Sequence, residues 1–176
     1  MPALRRCLKA INQLGHARHC PICGFTGFRF ARAGKVNLRP DKQCPRCRSR
    51  ERHRAAYMLL QDRLGTDHHT IHCAPEPYIE KWLRSLSTDY LSIDLYEPAM
   101  RQIDLTDMDL ESESSTLLWC SHVLEHIPED GKAMREIFRV LKPGGVAVIQ
   151  VPIRGDVTDE DPSVTTPQQR IERFGQ

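Results

Sequence analysis

A chain of 176 residues holds one full domain with a small module beside it and leaves no room for two large ones, because domains commonly run to about 100–150 residues. The net charge of +2 conceals an asymmetry: fifteen Lys and Arg stand against three Asp and Glu before Gly65, and ten against twenty from there on. No apolar run approaches the ~18 residues that span a bilayer, and "MPALRRCLKAINQLG" lacks the unbroken apolar stretch of an export signal, so the sequence reads as soluble and cytoplasmic.

In residues 1–18, Leu4, Leu8, Ile11 and Leu14 recur at helical spacing before Gly15, which predicts a short amphipathic helix. Residues 19–50 are rich in Gly, Pro, Cys and Arg and too poor in apolar side chains to form a core without a staple. Two Cys-x-x-Cys pairs supply one: Cys20 and Cys23, then Cys44 and Cys47 after twenty intervening residues. Without an export signal such pairs read as thiolate ligands rather than disulfides, and two knuckles at this distance set four sulfurs around Zn²⁺. Gly24 sits where the first knuckle needs a tight turn. Four thiolates leave no open coordination position, so the zinc is expected to be structural. His16, His19 and His53 flank the cluster and stay free in the simplest assignment, and Cys7, Cys73 and Cys120 lie outside the pattern. Cys73 and Cys120 fall in predicted strands and read as small core residues. Arg46, Arg48, Arg50, Arg52 and Arg54 suit contact with RNA phosphates; equally, they suit a solvated face or docking onto the acidic half. No aromatic residues are interleaved with them to stack bases.

A linking helix is predicted over 51–65, with Ala56, Leu59, Leu60 and Leu64 on its apolar face and Gly65 closing it. Across 66–154 the pattern alternates: "HTIHCA" strand, "PEPYIEKWLRSL" helix, "DYLSIDLY" strand, "TLLWCS" strand, "EDGKAMREIFRVL" helix, "GVAVIQVPI" strand. That alternation predicts an α/β, Rossmann-like, mostly parallel sheet with helices on its faces. In "LKPGG", Pro143 fixes one φ and Gly144 takes the positive φ of a type II turn. The polar tail, 155–176, contains no convincing strand.

Open α/β sheets bind ligands beyond the carboxyl ends of their strands, near the reversal of strand order. Three predicted strands end suitably: one at Ala74-Pro75-Glu76, one at Asp94, and one at Ser121-His122, which opens "SHVLEHIPED". Asp94 follows Ala74 by twenty residues, the offset at which an acidic side chain takes ribose hydroxyls. The first turn lacks Gly-x-Gly-x-x-Gly, which disfavours an oxidoreductase holding the pyrophosphate of NAD.

The stretch "SHVLEHIPEDGKAMREIFRVLKPGGVAVIQVP", Ser121 to Pro152, resembles the "VLEHIPD…LREIxRVLKPGG" block of class I S-adenosylmethionine-dependent methyltransferases, methyltransferase type 11-like. The resemblance runs from His69 to about Pro152, and a zinc knuckle ahead of such a domain is similar to a known arrangement. It implies that Asp94 holds the ribose of S-adenosyl-L-methionine and that Asp104, with Leu105 beside it, meets the adenine amino group. Ser121 and His122 then line the methionine end and the substrate entrance. His122 is the candidate catalytic residue, as a general base or as a wall of the pocket, while His126 reads as structural. The cofactor supplies the reactivity in methyl transfer, so the protein mainly positions reactants.

Two departures stand out. The family turn carries an acidic residue and then Gly-x-Gly-x-Gly; in register, His72 replaces the acid and Ala74, Glu76 and Tyr78 replace the glycines. Glu76 is expected either to turn outward or to act as a cofactor ligand that offsets the lost acid. The family sheet has seven strands, and five are found here, counting a short one near Arg101–Ile103. A missing final antiparallel hairpin, as in a truncated product, would leave Val146–Ile153 as an open edge. The leading reading is methyl transfer to an unidentified acceptor; the alternative is a non-catalytic zinc-ribbon protein that binds RNA or protein on a degenerate methyltransferase scaffold.

Overall fold

The computed structural model describes residues 18–34, 38–153, 161, 163, 164 and 166–174. Apart from Arg18, the expected amino-terminal helix lies outside them, as do Cys7, His16 and part of the tail.

The cysteine module is built from two antiparallel ribbons. β1 (Arg18–His19) pairs with β2 (Thr26–Gly27), and β3 (Ala31–Ala33) with β4 (Arg39–Gln43). Each Cys-Pro-x-Cys pair closes a tight turn in the same way: Gly24 N donates to Cys20 O and Arg48 N to Cys44 O, both at 2.9 Å. The closing residues take φ +67° and +66°. Glycine adopts that backbone freely, whereas Arg48 does so at a cost of about 1–2 kcal/mol. Cys20, Cys44, Phe25 and Phe30 form the buried centre of the module.

α1 (Glu51–Leu60) stops earlier than the sequence suggests, and the chain turns through Leu64 before Gly65. Its inward face also differs from the apolar stripe. Leu59 is 62% exposed, whereas His53 and Arg54 are buried with Ala56. The physical reason is that both polar side chains find partners. Arg54 donates to the Ser49 and Lys42 carbonyls and stacks 4.3 Å from the centre of the Phe30 ring. His53 Nδ1 accepts the Arg50 amide at 3.0 Å, satisfying a donor that the helix start leaves orphaned.

β5 (His68–Cys73), β6 (Ser87–Asp94), β7 (Arg101–Gln102), β8 (Ser115–Ser121) and β9 (Leu141–Gln150) form one parallel sheet in the order β7-β6-β5-β8-β9. α2 (Pro77–Ser85) follows β5; a single 3₁₀ turn (Leu124–His126) and α3 (Asp130–Val140) follow β8. Side chains alternate across the sheet. Leu118 and Cys120 pack with Ile71, Ile93, Ile137 and Val140 on the α3 side, and Leu117 and Trp119 with Ile79, Leu83 and Tyr90 on the α2 side. Burial on both faces is why "TLLWCS" is continuously apolar instead of alternating. On the α2 side the rings of Tyr57, Trp82 and Trp119 meet edge to face, which fastens α1 onto the domain. Ile22 of the first knuckle packs against both this cluster and the cysteine module's own.

Gly144 takes φ +79° as expected, and the β8–β9 ladder bulges there, passing from Ser115–Leu141 directly to Leu117–Val146. Among the described residues no strand follows β9, and Ile153 beyond it is 89% exposed. α4 (Pro167–Phe174) occupies the tail. Its start is a capping box: Gln169 N donates to Thr166 Oγ1 at 3.3 Å, and Thr166 N to Gln169 Oε1 at 3.0 Å.

Candidate functional site

Strand order reverses between β5 and β8, since the chain leaves β5 for β6 and β7 and then returns to the other side. A cavity of about 520 Å³ opens there, beyond the carboxyl ends of β5, β6 and β8. Ala74, Asp94, Asp104, Leu105 and His122 all line it, so the fold gathers five of the predicted site residues into one place. Ser121 and Glu76 do not line it. The Ser121 hydroxyl donates to Gln150 Oε1 at 3.0 Å instead.

Each acidic candidate shapes the loop that carries it. Asp94 Oδ1 accepts the amides of Tyr96 and Glu97, both at 2.8 Å, which bends the chain sharply at the end of β6. Among the described residues, Asp94 Oδ2 has no hydrogen-bond partner. Asp104 Oδ1 likewise accepts from the amide and hydroxyl of Thr106, both at 2.8 Å. Ile93, Leu95, Ile103 and Leu105 give the same region apolar walls. A few carboxylates beside apolar walls suit a ligand with an apolar body and a small number of hydrogen-bonding groups.

The two strands flanking the reversal point end alike. Ala74 (φ +49°) and His122 (φ +56°) are both left-handed without being glycine. Their amides continue the ladder, Ala74 N to Ile93 O at 2.9 Å and His122 N to Gln150 O at 2.8 Å. Non-glycine residues held in this way cluster where a site demands a particular backbone. The His122 ring is oriented by Glu125, whose Oε1 lies 3.1 Å from Nδ1. A proton on Nδ1 is then donated to the carboxylate, and Nε2 is left as the acceptor. Glu125 was missed in the sequence. The signal for it is a carboxylate three residues after the histidine, on the 3₁₀ turn Leu124–His126 that the loop runs into.

Glu76 is turned into the protein. Its Oε2 lies 3.2 Å from His72 Nε2 and its Oε1 3.4 Å from His53 Nε2, and both rings are fully buried. His53 Nδ1 accepts the Arg50 amide, and its Nε2, which faces Glu76 Oε1, also lies 3.0 Å from Arg52 Nε. His72 Nδ1 faces the Tyr90 hydroxyl at 2.8 Å, and the Tyr78 ring lies 4.5 Å from that of His53. Burial works to raise the Glu76 carboxyl, but the hydrogen bonds from His53 and His72 outweigh it and bring it down to about 2. Burial in turn pushes His53 below the ordinary histidine range. Both shifts favour an ionised Glu76 carboxylate facing a neutral His53 ring. His72, Glu76 and Tyr78, three of the four departures from the glycine pattern, are thus one contact set against α1.

The four sulfurs of Cys20, Cys23, Cys44 and Cys47 all lie within 4.8 Å of one another. Two of their separations are 3.7 Å (Cys20–Cys47) and 3.6 Å (Cys23–Cys44). Zn–S bonds of about 2.3 Å give a tetrahedron with edges of about 3.8 Å, so the donor set fits zinc. Burial opposes ionisation of Cys20, but the Ser49 hydroxyl and the amides of Cys23 and Ile22 prevail and hold the thiol at about 7. Burial pushes Cys23 and Cys44 up. Several arginines are spent inside this region: Arg46 donates to Cys23 O, Arg18 pairs with Asp41, and Arg54 is packed on Phe30.

The sequence model of a family described as a methyltransferase domain matches residues 59–149, about half the chain. The chain belongs to that family. Among solved structures, this methyltransferase domain is similar to the YcgJ protein from Bacillus subtilis at 15% identity, over 56% of this chain and 50% of that one, with a TM-score of 0.50. An S-adenosylmethionine dependent methyltransferase from Mesorhizobium loti is similar at 17% identity over 54% and 52% of the two chains, with a TM-score of 0.47. A SAM dependent methyltransferase from Aquifex aeolicus is similar at 12% over 66% and 73%, with a TM-score of 0.47. The chain spans about half the length of the first two. At such identities the likeness concerns the fold. Among the described residues, no helix is long and apolar enough to cross a membrane.

Proposed function

We propose that the chain binds S-adenosylmethionine in the cavity at the strand-order reversal and methylates an acceptor there, with the four cysteines holding a structural zinc. The observation that carries this reading is Asp94: a carboxylate at the end of β6, on the cavity, with one oxygen fixing the loop and the other uncommitted. On this reading the free oxygen accepts from ribose hydroxyls, and Asp104 and Leu105, which line the same cavity, hold the adenine. Cys73, beside Ala74, forms part of the floor, and His122 stands at the wall with Nε2 free to take a proton from an acceptor. When bound, the cofactor supplies a sulfonium methyl group for in-line displacement; the residues here bind, orient and shelter the reactants. The zinc replaces the core that residues 18–50 are too polar to build, and four thiolates leave it no open position for chemistry.

Calorimetric titration of folded, zinc-loaded protein with S-adenosylmethionine and S-adenosylhomocysteine tests the reading. Saturable binding of both is expected. No binding by folded, metal-loaded protein would sink it.

A further inference from the structure

The turn after β5 joins two sites that sequence alone keeps apart. At one end Ala74 forms cavity wall with φ +49°. Left to itself, alanine abandons that basin, so its surroundings must hold it there. The amide of Ala74 is tied to Ile93 O, and two residues on, the Glu76 carboxylate is pinned by His53 and His72 while its carbonyl accepts the first amides of α2. At the other end, His53 receives the Arg50 amide, and Arg50 bridges to Gln43, the neighbour of Cys44. Ser49 O accepts the Cys44 amide at 2.9 Å, and the Ser49 hydroxyl lies 3.1 Å from Cys47 Sγ. Contacts therefore run unbroken from the cysteine cluster, through His53 and Glu76, to the cavity wall.

We propose that Glu76 is a positioning residue: with His53 it couples metal occupancy of the four-cysteine cluster to the left-handed conformation of Ala74, and hence to the cavity's affinity for its cofactor. The inference rests on the cofactor reading above. A loaded cluster fixes the start of α1 and holds His53 against Glu76; the anchored turn keeps Ala74 in its bend. When the cluster is empty, Glu76 loses one of its two partners, Ala74 relaxes, and the wall shifts into the ligand's space. The strain held at Ala74 sets the size of the effect, about 5- to 30-fold in affinity, equivalent to about 1–2 kcal/mol. Linkage makes the coupling reciprocal, so bound cofactor retains zinc by the same factor.

The test is S-adenosylhomocysteine titration of the full chain in four forms: zinc-loaded wild type, chelated wild type, zinc-loaded Glu76→Gln and zinc-loaded His53→Asn. All four are repeated with Ala74→Gly. Chelation and both variants should weaken binding about 5- to 30-fold; in the glycine background, where the bend costs nothing, the losses should shrink to within about 2-fold. A colorimetric chelator should strip zinc more slowly from wild type saturated with S-adenosylhomocysteine, and this protection should vanish in Glu76→Gln. Equal affinity of loaded wild type and loaded Glu76→Gln, or losses that persist undiminished in the glycine background, would overturn the coupling and leave the cofactor reading intact. Failure of loaded wild type to bind at all overturns the cofactor reading, and the coupling with it.

Discussion

Replacing Asp94 by asparagine separates two roles that one carboxylate combines at the end of β6. Its Oδ1 accepts the amides of Tyr96 and Glu97, both at 2.8 Å, and an asparagine carbonyl keeps both bonds. Asp94→Asn should therefore leave stability within about 0.5 kcal/mol of wild type, whereas Asp94→Ala drops both bonds and loses about 1–3 kcal/mol. At the free oxygen the change is larger: an amide donor replaces an anionic acceptor, and a charge-assisted hydrogen bond to ribose disappears. A loss of about 1.5–3 kcal/mol corresponds to about 10- to 150-fold weaker S-adenosylhomocysteine binding. Urea denaturation and calorimetric titration of the same three proteins measure both quantities. If Asp94→Asn binds like wild type, or if affinity falls only in step with stability, Asp94 is a loop cap and the ribose assignment is wrong.

Four further outcomes are expected. Ala74→Gly relieves the left-handed strain and should raise stability by about 1 kcal/mol, seen as a higher urea midpoint at unchanged slope. Cys44→Ser should abolish stoichiometric zinc in elemental analysis and lower the melting temperature, because Phe25 and Phe30 lose the centre they pack around. Burial holds Cys23 and Cys44 above the ordinary thiol range, so zinc loading must strip their protons; it should acidify a weakly buffered solution near pH 7, and zinc affinity should fall as pH is lowered. A pH-stat that registers no release on loading would exclude thiolate ligation. Arg139 donates to Met108 O at 2.8 Å and Leu110 O at 2.7 Å, so Arg139→Met should loosen the loop after Asp104 and speed its amide exchange.

What was legible in the sequence was whatever is written locally. The strands and helices of the sheet follow from apolar periodicity, the "LKPGG" turn from its glycine, and the cysteine cluster from spacing. Contacts between distant residues were not legible. The Glu76–His53 pair joins residues 23 positions apart on different modules, and nothing near Glu76 announces its partner. The inward face of α1 was not legible for the same reason: the apolar stripe puts Leu59 in the core, but burial goes to His53, which finds hydrogen-bond partners there. Tail helix α4 carried a readable sign, Thr166-Pro167-Gln168-Gln169, which is a capping box with proline at its first turn.

The placing of β5 between β6 and β8 also bears on how the chain reaches its native state. Pairing β5 with β8 brings together residues about 47 positions apart, as at His69 and Thr116, so the centre of the sheet closes only after β6, β7 and their connections have collapsed. The cysteine module, whose ribbons are short-range, has no such delay. Refolding is therefore expected in two phases, a rapid one set by metal capture and a slower one set by closure of the β5–β8 pair. During the interval the apolar strand Ser115–Ser121 stands without its neighbour, and it is then that the chain is most exposed to aggregation.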